Sequence, residues 1–329
     1  MTRTNRVVVL NQPAHGVPAS EYADELRRRL SGYDVKHPLT ADETRAAVEQ
    51  ARTITGTHID ENLLSRAEEL ELFACASAGV GHLPLSVLED HGVAVTNASG
   101  VHGPNIAEHV VGWLLAFARR LDEGGRREQE NLWQHFRGGE FQGSTVTVVG
   151  LGAIGQAVVE RLDGFGVETI GARYNPEKGG PTDDVVGFTD EDELQGALSR
   201  SDYVVVAAPL TDETRGLVGE AELAAMPTDA VLVNVGRGPI VDTDALVSAV
   251  RRSKLGGAGL DVTDPEPLPA DHPLWEFDNV RITPHNAGST PKYWSRLADI
   301  LVENVERISD SGDVVGLRNE VVAPNADGE

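Results

Sequence analysis

The sequence predicts an α/β protein built from two doubly wound domains, each with a parallel sheet. Short β-type runs alternate with amphipathic helical segments over residues 1–100, and the same alternation returns after residue 145. In the second stretch, a strand-like run leads directly into a glycine-rich turn at 150–155, and a helical segment follows. A length of 329 residues suits about two domains.

The first half of the pattern predicts four strands that alternate with helices. Strands are expected at 7–10, 52–56, 72–76 and 93–96, and helices at 20–30, 42–51, 60–70 and 85–91. Ser20 is expected to cap the first helix. The strand at 72–76 leads into a turn of small residues, Ser77-Ala-Gly-Val-Gly.

A different composition follows between residues 100 and 143. Turn residues at 100–104 predict a hinge. The segment 105–121 is apolar on most faces, so a buried helix is expected there. The segment 122–143 is charged, has little periodicity and contains Trp133 and Phe136. We expect it to cross the surface as an arm.

The second half of the pattern repeats the alternation. Strands are expected at 145–149, 167–171, 202–210, 230–235, 257–260 and 281–284, and helices after the glycine turn and at 220–225, 243–251 and 291–308. Residues 314–329 lack periodicity and are expected to be weakly structured.

The glycine turn predicts a dinucleotide site. Gly150 permits the tight turn, Gly152 lets the backbone approach a pyrophosphate, and Gly155 lets the helix lie close to the strand. The helix N-terminus then offers free N–H groups to the phosphates. The sequence therefore predicts a Rossmann cofactor domain at 104–286. Residues 1–103 with 287–329 are expected to form a smaller flavodoxin-like domain that binds the substrate.

The charge balance excludes several kinds of partner. Fifty-two acidic residues against 28 basic ones give a net charge of −24, which repels nucleic acid and anionic membranes. The acidic residues are scattered along the chain, which is typical of proteins from a high-salt cytoplasm, where ions screen their repulsion. A halophilic source is therefore expected.

Other absences in the sequence set further expectations. It contains no run of about 18 apolar residues and no signal-peptide pattern, so a cytoplasmic protein is expected. The single cysteine, Cys75, lies in an apolar run and is expected to be a buried structural thiol. Without a cluster of Cys and His residues, no metal is expected.

Three polar residues follow predicted strands of the second domain, where parallel sheets bind their ligands. Arg237 lies in Val-Asn-Val-Gly-Arg-Gly, Glu266 in Leu-Asp-Val-Thr-Asp-Pro-Glu-Pro, and His285 in Ile-Thr-Pro-His-Asn-Ala-Gly. In order and spacing, and together with the glycine turn, these motifs resemble the D-isomer-specific 2-hydroxyacid dehydrogenase family. The resemblance covers nearly the whole chain.

The resemblance implies reduction of a small 2-oxo acid to the D-2-hydroxy acid by hydride transfer from NAD(P)H. Arg237 offers a planar charged fork for the substrate carboxylate and polarises the ketone. His285 donates a proton to the carbonyl oxygen, and Glu266 holds the imidazole and favours its charged form. The family pattern also implies that backbone N–H groups of Ala78 and Gly79 bind the carboxylate. Closure of the hinge is then expected to exclude water.

The end of the second strand bears on the choice of nicotinamide cofactor. NAD-binding units usually carry an acid there for the ribose 2′-hydroxyl, but this chain has Arg173, Tyr174 and Asn175. A cation in this place favours a 2′-phosphate, so NADP(H) is expected to be preferred, with NAD(H) as the alternative cofactor. The family match implies that further residues line the cofactor site: Ala153, Ile154, Ala208, Pro209, Thr214, Val235, Gly236, Asp261 and Gly288. Asp261 is expected to bind the carboxamide.

Several alternatives stay open from the sequence. Within the family these are a glyoxylate/hydroxypyruvate reductase and a phosphoglycerate dehydrogenase-like enzyme, although the chain ends before the extra regulatory domain that the latter often carries. Outside enzyme chemistry, the alternative is an NAD(H)-sensing interaction protein of the corepressor type. The apolar helix and the aromatic arm favour a homodimer, as the resemblance also implies.

Overall fold

In the computed structural model, which describes residues 5–14 and 16–323, the chain forms two compact units. The first comprises the residues up to Val101 and those from Ser289 onward, and the second is His102–Gly288. Each unit has its own sheet. The predicted boundaries lie at 103/104 and 286/287. The assignment of substrate to the first unit and cofactor to the second stays a prediction.

The described part of the chain contains strands β1 to β13 and helices α1 to α11. The strands are Arg6–Val9, Asp34–Lys36, Thr53–Gly56, Leu72–Cys75, Ala94–Thr96, Thr145–Val149, Glu168–Arg173, Asp184–Gly187, Tyr203–Val206, Val231–Asn234, Gly257–Leu260, Val280–Ile282 and Glu320–Val322. The helices are Ala19–Arg29, Ala41–Val48, Glu61–Leu64, Leu85–Asp90, Gly103–Arg119, Leu121–Gln129, Ala153–Leu162, Glu191–Leu198, Glu220–Ala225, Thr243–Arg251 and Tyr293–Ser311.

The sheet of the first unit has the strand order β13-β5-β4-β3-β1-β2. Strands β1 to β5 pair in parallel, in the order typical of flavodoxin-like sheets, and β13 pairs with β5 in the antiparallel sense. Val7 and Val9 of β1 lie in a core with Tyr22 of α1 and Leu297 of α11, and both helices cover the same face of the sheet. The flavodoxin-like prediction is therefore confirmed.

The sheet of the second unit has seven strands in the order β12-β11-β10-β9-β6-β7-β8, all parallel. The order reverses at β6, so the turn after β6 lies at the switch point where doubly wound sheets bind ligands. Strands β9 and β10 are buried over their whole length, because helices cover both faces of the sheet. This is the predicted Rossmann arrangement.

Some local expectations are wrong. Helix α1 begins at Ala19 after Pro18, and no side chain caps it, so Ser20 lies inside the helix. The helix expected at 60–70 ends at Leu64 and continues as turns. The arm expected from residue 122 begins instead with a helix, α6, whose Glu123 pairs with Arg127 one turn later at 2.5 Å.

Helix α5 is also less buried than its composition suggests. Its buried side chains, including Val110 and Leu114, lie on one face, whereas Trp113, Leu115 and Phe117 are only partly buried. None of the helices in the described residues has the length and apolarity that crossing a bilayer requires. Cys75 is buried, and burial raises the pKa of its thiol.

Three short strands and two helices had not been predicted: β2, β8, β13, α6 and α8. Each of the three strands lies at the edge of its sheet and has three or four residues. Such strands carry too few residues for a clear alternation. Strand β13 lies in the segment expected to be weakly structured, and the last part of that segment, 324–329, lies outside the described residues.

Candidate active site

The turn between β6 and α7 has the geometry that a dinucleotide requires. Gly150 has a φ of +96°, in the left-handed region, and a side chain there meets Ala208 at 2.6 Å. A Cβ on Gly155 lies 2.0 Å from the carbonyl oxygen of Gly150, so only glycine lets α7 pack this closely. Around Gly152, by contrast, no atom lies within 4 Å of a built Cβ. The backbone there is open to a pyrophosphate at the start of α7, so the residues present fit the group.

Arg237 lies three residues after the end of β10, in an extended conformation, and is exposed. Its Nη1 donates to the carbonyl oxygen of Gly236 at 2.7 Å, and the other guanidinium donors meet no protein acceptor among the described residues. The buried Asn234 holds this backbone, since its amide accepts from Gly236 N at 3.0 Å and donates to Arg237 O at 3.1 Å. The strand end therefore presents a cation on a rigid support.

His285 and Glu266, which lie 19 residues apart, form a direct pair. The imidazole Nδ1 and the carboxylate Oε1 are 2.7 Å apart. The two side chains are 49% and 42% exposed, so the pair is open to a small molecule. Because an ionised carboxylate only accepts, Nδ1 carries the hydrogen and the opposite nitrogen, Nε2, is left for another partner.

The backbone of His285 is unusual. Its φ is +52°, a left-handed conformation that costs of order 1 kcal/mol for a residue other than glycine. The N–H of His285 donates to the carbonyl oxygens of Asp261 at 2.8 Å and Thr283 at 2.9 Å. The surrounding structure thus holds the residue in a conformation that it does not prefer.

The end of β7 places the predicted selectivity residues together. Arg173 is partly buried, and its guanidinium donates to the carbonyl oxygen of Gly179. Tyr174 is 61% exposed, and the Asn175 side chain accepts from the backbone N–H of Glu177 at 3.0 Å. Lys178, an exposed cation in the same loop, was not among the predicted residues, although its position five residues after Arg173 places a second positive charge near this strand end.

The other predicted cofactor residues differ in exposure. Thr214 is buried, and its hydroxyl donates to the carbonyl oxygen of Pro209 at 2.7 Å, so it shapes the loop after β9. Asp261 is 3% exposed, and its carboxylate accepts from the Thr283 hydroxyl and two backbone N–H groups. Ala208, Val235 and Gly236 are buried, Ile154 and Gly288 are partly exposed, and Ala153 and Pro209 are exposed.

In the first unit, Ala78 and Gly79 follow β4 and are exposed. The Ala78 carbonyl accepts from the Asn97 amide at 2.8 Å, which fixes the turn. Within residues 5–14 and 16–323, the N–H groups of Ala78 and Gly79 donate to no protein acceptor. No group of three or more His, Cys, Asp and Glu residues in those ranges is arranged to hold a metal ion.

A fully parallel sheet that reverses its order at β6, with a glycine turn directly after that strand, defines the class of dinucleotide-binding α/β proteins. Within that class, residues 111–287 match the family model for the D-isomer specific 2-hydroxyacid dehydrogenase, NAD binding domain. The chain belongs to the D-isomer-specific 2-hydroxyacid dehydrogenase family. It is an NAD(P)-dependent 2-hydroxyacid dehydrogenase, as the sequence motifs predicted.

Individual relatives agree with this assignment. The glyoxylate reductase of Thermofilum pendens is 36% identical over 253 residues, which is 75% of this chain and 74% of that protein. The D-3-phosphoglycerate dehydrogenase of Methanocaldococcus jannaschii is 31% identical over 88% of this chain but only 56% of its own length. The crystal structure of a D-isomer specific 2-hydroxyacid dehydrogenase from Xanthobacter autotrophicus Py2 with NADPH and MES has a TM-score of 0.76 at 29% identity, covering 97% of this chain and 98% of that one.

Proposed function

We propose that this enzyme reduces a small 2-oxo acid to the D-2-hydroxy acid with His285 as the proton donor. The observation that carries the proposal is the 2.7 Å contact between His285 Nδ1 and Glu266 Oε1. Glu266 fixes the tautomer and stabilises the positive charge of the imidazolium, so Nε2 is the nitrogen that gives a proton to the carbonyl oxygen. In the oxidation of the alcohol, the same nitrogen takes the proton back.

Arg237 and two backbone groups are proposed to bind the substrate carboxylate. The guanidinium of Arg237 carries a permanent charge, which suits both the carboxylate and the developing negative charge of the carbonyl oxygen. The N–H groups of Ala78 and Gly79, which meet no protein acceptor in the described ranges, are the further donors. A bound reduced nicotinamide supplies the hydride, and Gly150, Gly152 and Gly155 are proposed to hold its pyrophosphate at the N-terminus of α7.

NADPH is proposed as the preferred cofactor. Arg173 lies at the end of β7 where an acid would select NAD(H), and Lys178 follows in the same loop. Tyr174 and Asn175 offer polar groups to a 2′-phosphate from exposed positions. The related structure from Xanthobacter autotrophicus Py2, which contains NADPH, is consistent with this choice.

Glyoxylate and hydroxypyruvate are the first substrates to test, since the relative from Thermofilum pendens is a glyoxylate reductase. A substrate phosphate has less support in the structure. Arg52 precedes β3, away from the strand ends where parallel sheets bind their ligands, and its guanidinium is paired with Glu71 at 2.6 Å. A phosphoglycerate dehydrogenase activity is therefore the weaker alternative. A corepressor-type sensor is not favoured either, because the relatives of this chain are reductases and dehydrogenases.

Loss of NADPH absorbance with a panel of 2-oxo acids tests the proposal. We expect turnover with at least one of glyoxylate, hydroxypyruvate, pyruvate or 2-oxobutyrate, and a higher kcat/KM with NADPH than with NADH. His285→Gln should lower kcat about 10³-fold, in line with the usual contribution of a general acid. His91→Gln is the matched control, because His91 is exposed at the end of α4 in the other unit. Activity of His285→Gln at the wild-type rate would rule out the proposed role.

A homodimer is also proposed. Trp133 is fully exposed in the irregular segment after α6, and α5 leaves Trp113 and Phe117 partly uncovered. Exposed aromatic side chains of this kind are typical of interfaces. Light scattering should give twice the chain mass, and a monomer at micromolar concentration would contradict the proposal. Cytoplasmic location and a halophilic source stay predictions.

A further inference from the structure

Asp261 is a buried acid whose carboxylate is held by donors of the loop that carries His285. Its Oδ1 accepts from the hydroxyl of Thr283 at 2.5 Å and from the backbone N–H groups of Asn286 at 2.7 Å and Ala287 at 3.0 Å. Its Oδ2 accepts from Ala287 N at 3.0 Å as well. The Ala287 N–H is shared between the two oxygens, so three donors of this loop hold the carboxylate, and Oδ2 keeps capacity for a further donor.

The groups that donate to Asp261 lie on both sides of His285. Thr283 precedes the histidine by two residues, and Asn286 and Ala287 follow it directly. The backbone carbonyl of Asp261 also accepts from His285 N at 2.8 Å. One residue at the end of β11 therefore fixes the whole loop in which His285 adopts its left-handed conformation.

A second layer supports this contact from helix α5. The Nε2 of His109 lies 3.4 Å from the Thr283 hydroxyl oxygen. Because the single hydroxyl proton of Thr283 points to the Asp261 carboxylate, Nε2 of His109 carries a hydrogen and donates. Burial lowers the pKa of His109, which favours the neutral ring. The ring of Trp113 holds it edge-on, with centroids 4.2 Å apart.

We propose that Asp261 is a positioning residue that holds His285 in place through Thr283 and the backbone of residues 286–287. The inference rests on the proposed role of His285 and goes beyond the carboxamide contact that the family resemblance implies for Asp261. Loss of these hydrogen bonds lets the loop relax from its left-handed conformation, which moves the imidazole away from Glu266. Such a change slows proton donation.

Thr283→Val and Thr283→Ser form the matched pair that tests the inference. Valine keeps the shape of the side chain and removes the hydroxyl, whereas serine keeps the hydroxyl. We expect Thr283→Val to lower kcat about tenfold and to raise the solvent deuterium isotope effect on kcat, because proton donation becomes slower. KM for the 2-oxo acid and the NADPH Kd from fluorescence should stay within about twofold. Thr283→Ser should recover most of the lost kcat and the original isotope effect.

Asp261→Asn gives an independent second variant. It places an amide N–H against backbone donors, so a loss of about 100-fold in kcat is expected. A wild-type kcat in Thr283→Val overturns the inference, and so does an Asp261→Asn variant in which only the NADPH Kd changes. If His285→Gln is active, the proposed function itself fails; if His285→Gln is inactive while Thr283→Val is normal, only the positioning role fails. The positioning role can be tested even if Asp261→Asn does not fold, because Thr283→Val replaces a partly buried residue with one of equal shape.

Discussion

Two glycine-containing turns follow parallel strands in this protein, and they need glycine for different reasons. In the turn after β6, Gly150 is left-handed and a Cβ on Gly155 lies 2.0 Å from a backbone oxygen. In the turn after β4, Gly79 and Gly81 are not left-handed, and no atom lies within 4 Å of a built Cβ at either. The first turn uses glycine to make close packing feasible, whereas the second presents open backbone.

The difference shows how the two turns can serve a ligand. Helix α7 begins directly after the first turn, so N–H groups of a helix terminus face the open space at Gly152. The second turn has no helix immediately after it, and its N–H groups at Ala78 and Gly79 stand exposed in irregular backbone. In the turn after β6, small residues are therefore required for steric reasons. In the turn after β4, they leave neutral backbone N–H donors exposed.

The largest expected effect concerns the steric requirement. Gly155→Ala should lower the free energy of unfolding by about 3 kcal/mol, because the new methyl group has to push α7 away from β6. For a unit of this size, Tm should fall by about 6–12 °C. Gly79→Ala is the control, with a Tm within about 2 °C of the wild type. Equal Tm values for the two variants in calorimetry would show that the turns do not differ in this way.

A smaller effect is expected at Arg237, the cation proposed to bind the substrate carboxylate. Arg237→Lys keeps the charge and removes the planar fork, so kcat/KM for the 2-oxo acid should fall by about 10–100-fold. The NADPH Kd should not change. Arg251→Lys, at the exposed end of α10, serves as the control and should keep the wild-type kcat/KM. An unaltered kcat/KM in Arg237→Lys would contradict the proposal that the planar guanidinium of Arg237 binds the substrate carboxylate.

The choice between NADPH and NADH is expected to depend on Arg173, at the end of β7, the strand next to the glycine turn. Arg173→Asp should lower the NADPH-to-NADH ratio of kcat/KM at least about tenfold, because it replaces attraction of the 2′-phosphate by repulsion. Steady-state kinetics with both cofactors measures the ratio. Arg251→Asp changes the net charge equally and should leave the ratio as it is. If Arg173→Asp leaves it unchanged too, the preference lies elsewhere, with Lys178 as the next residue to replace.

The smallest expected effect concerns the acidic surface that both units share. Raising KCl from about 0.1 M to about 2 M shortens the range of electrostatic repulsion to a few ångströms, so Tm should rise by several degrees. Sucrose at the same osmolality gives the control for effects other than screening. A Tm that rises no more in KCl than in sucrose would contradict the halophilic prediction.

The sequence by itself determined the features that depend on neighbouring residues. The alternation of β-type runs and helical segments predicted both doubly wound sheets, and the boundaries of β11 and α10 agree residue for residue. The spacing of Gly150, Gly152 and Gly155 predicted which glycine packs closely and which stays open. These signals are local, since turn geometry and side-chain periodicity are properties of short segments.

Only the tertiary structure decided which strand ends and edges become neighbours. The edge strand β13 forms because β5 offers unpaired backbone groups, and its own three residues carry no such signal. The contact of Glu266 with His285 follows from a loop that returns toward the end of β12, and the family resemblance alone had suggested it. The hydrogen bonds of Asp261 with Thr283 and of Thr283 with His109 had no signal in the sequence. Such contacts depend on the packing of α5 and β11, so distant segments have to fold together before the donors and acceptors meet.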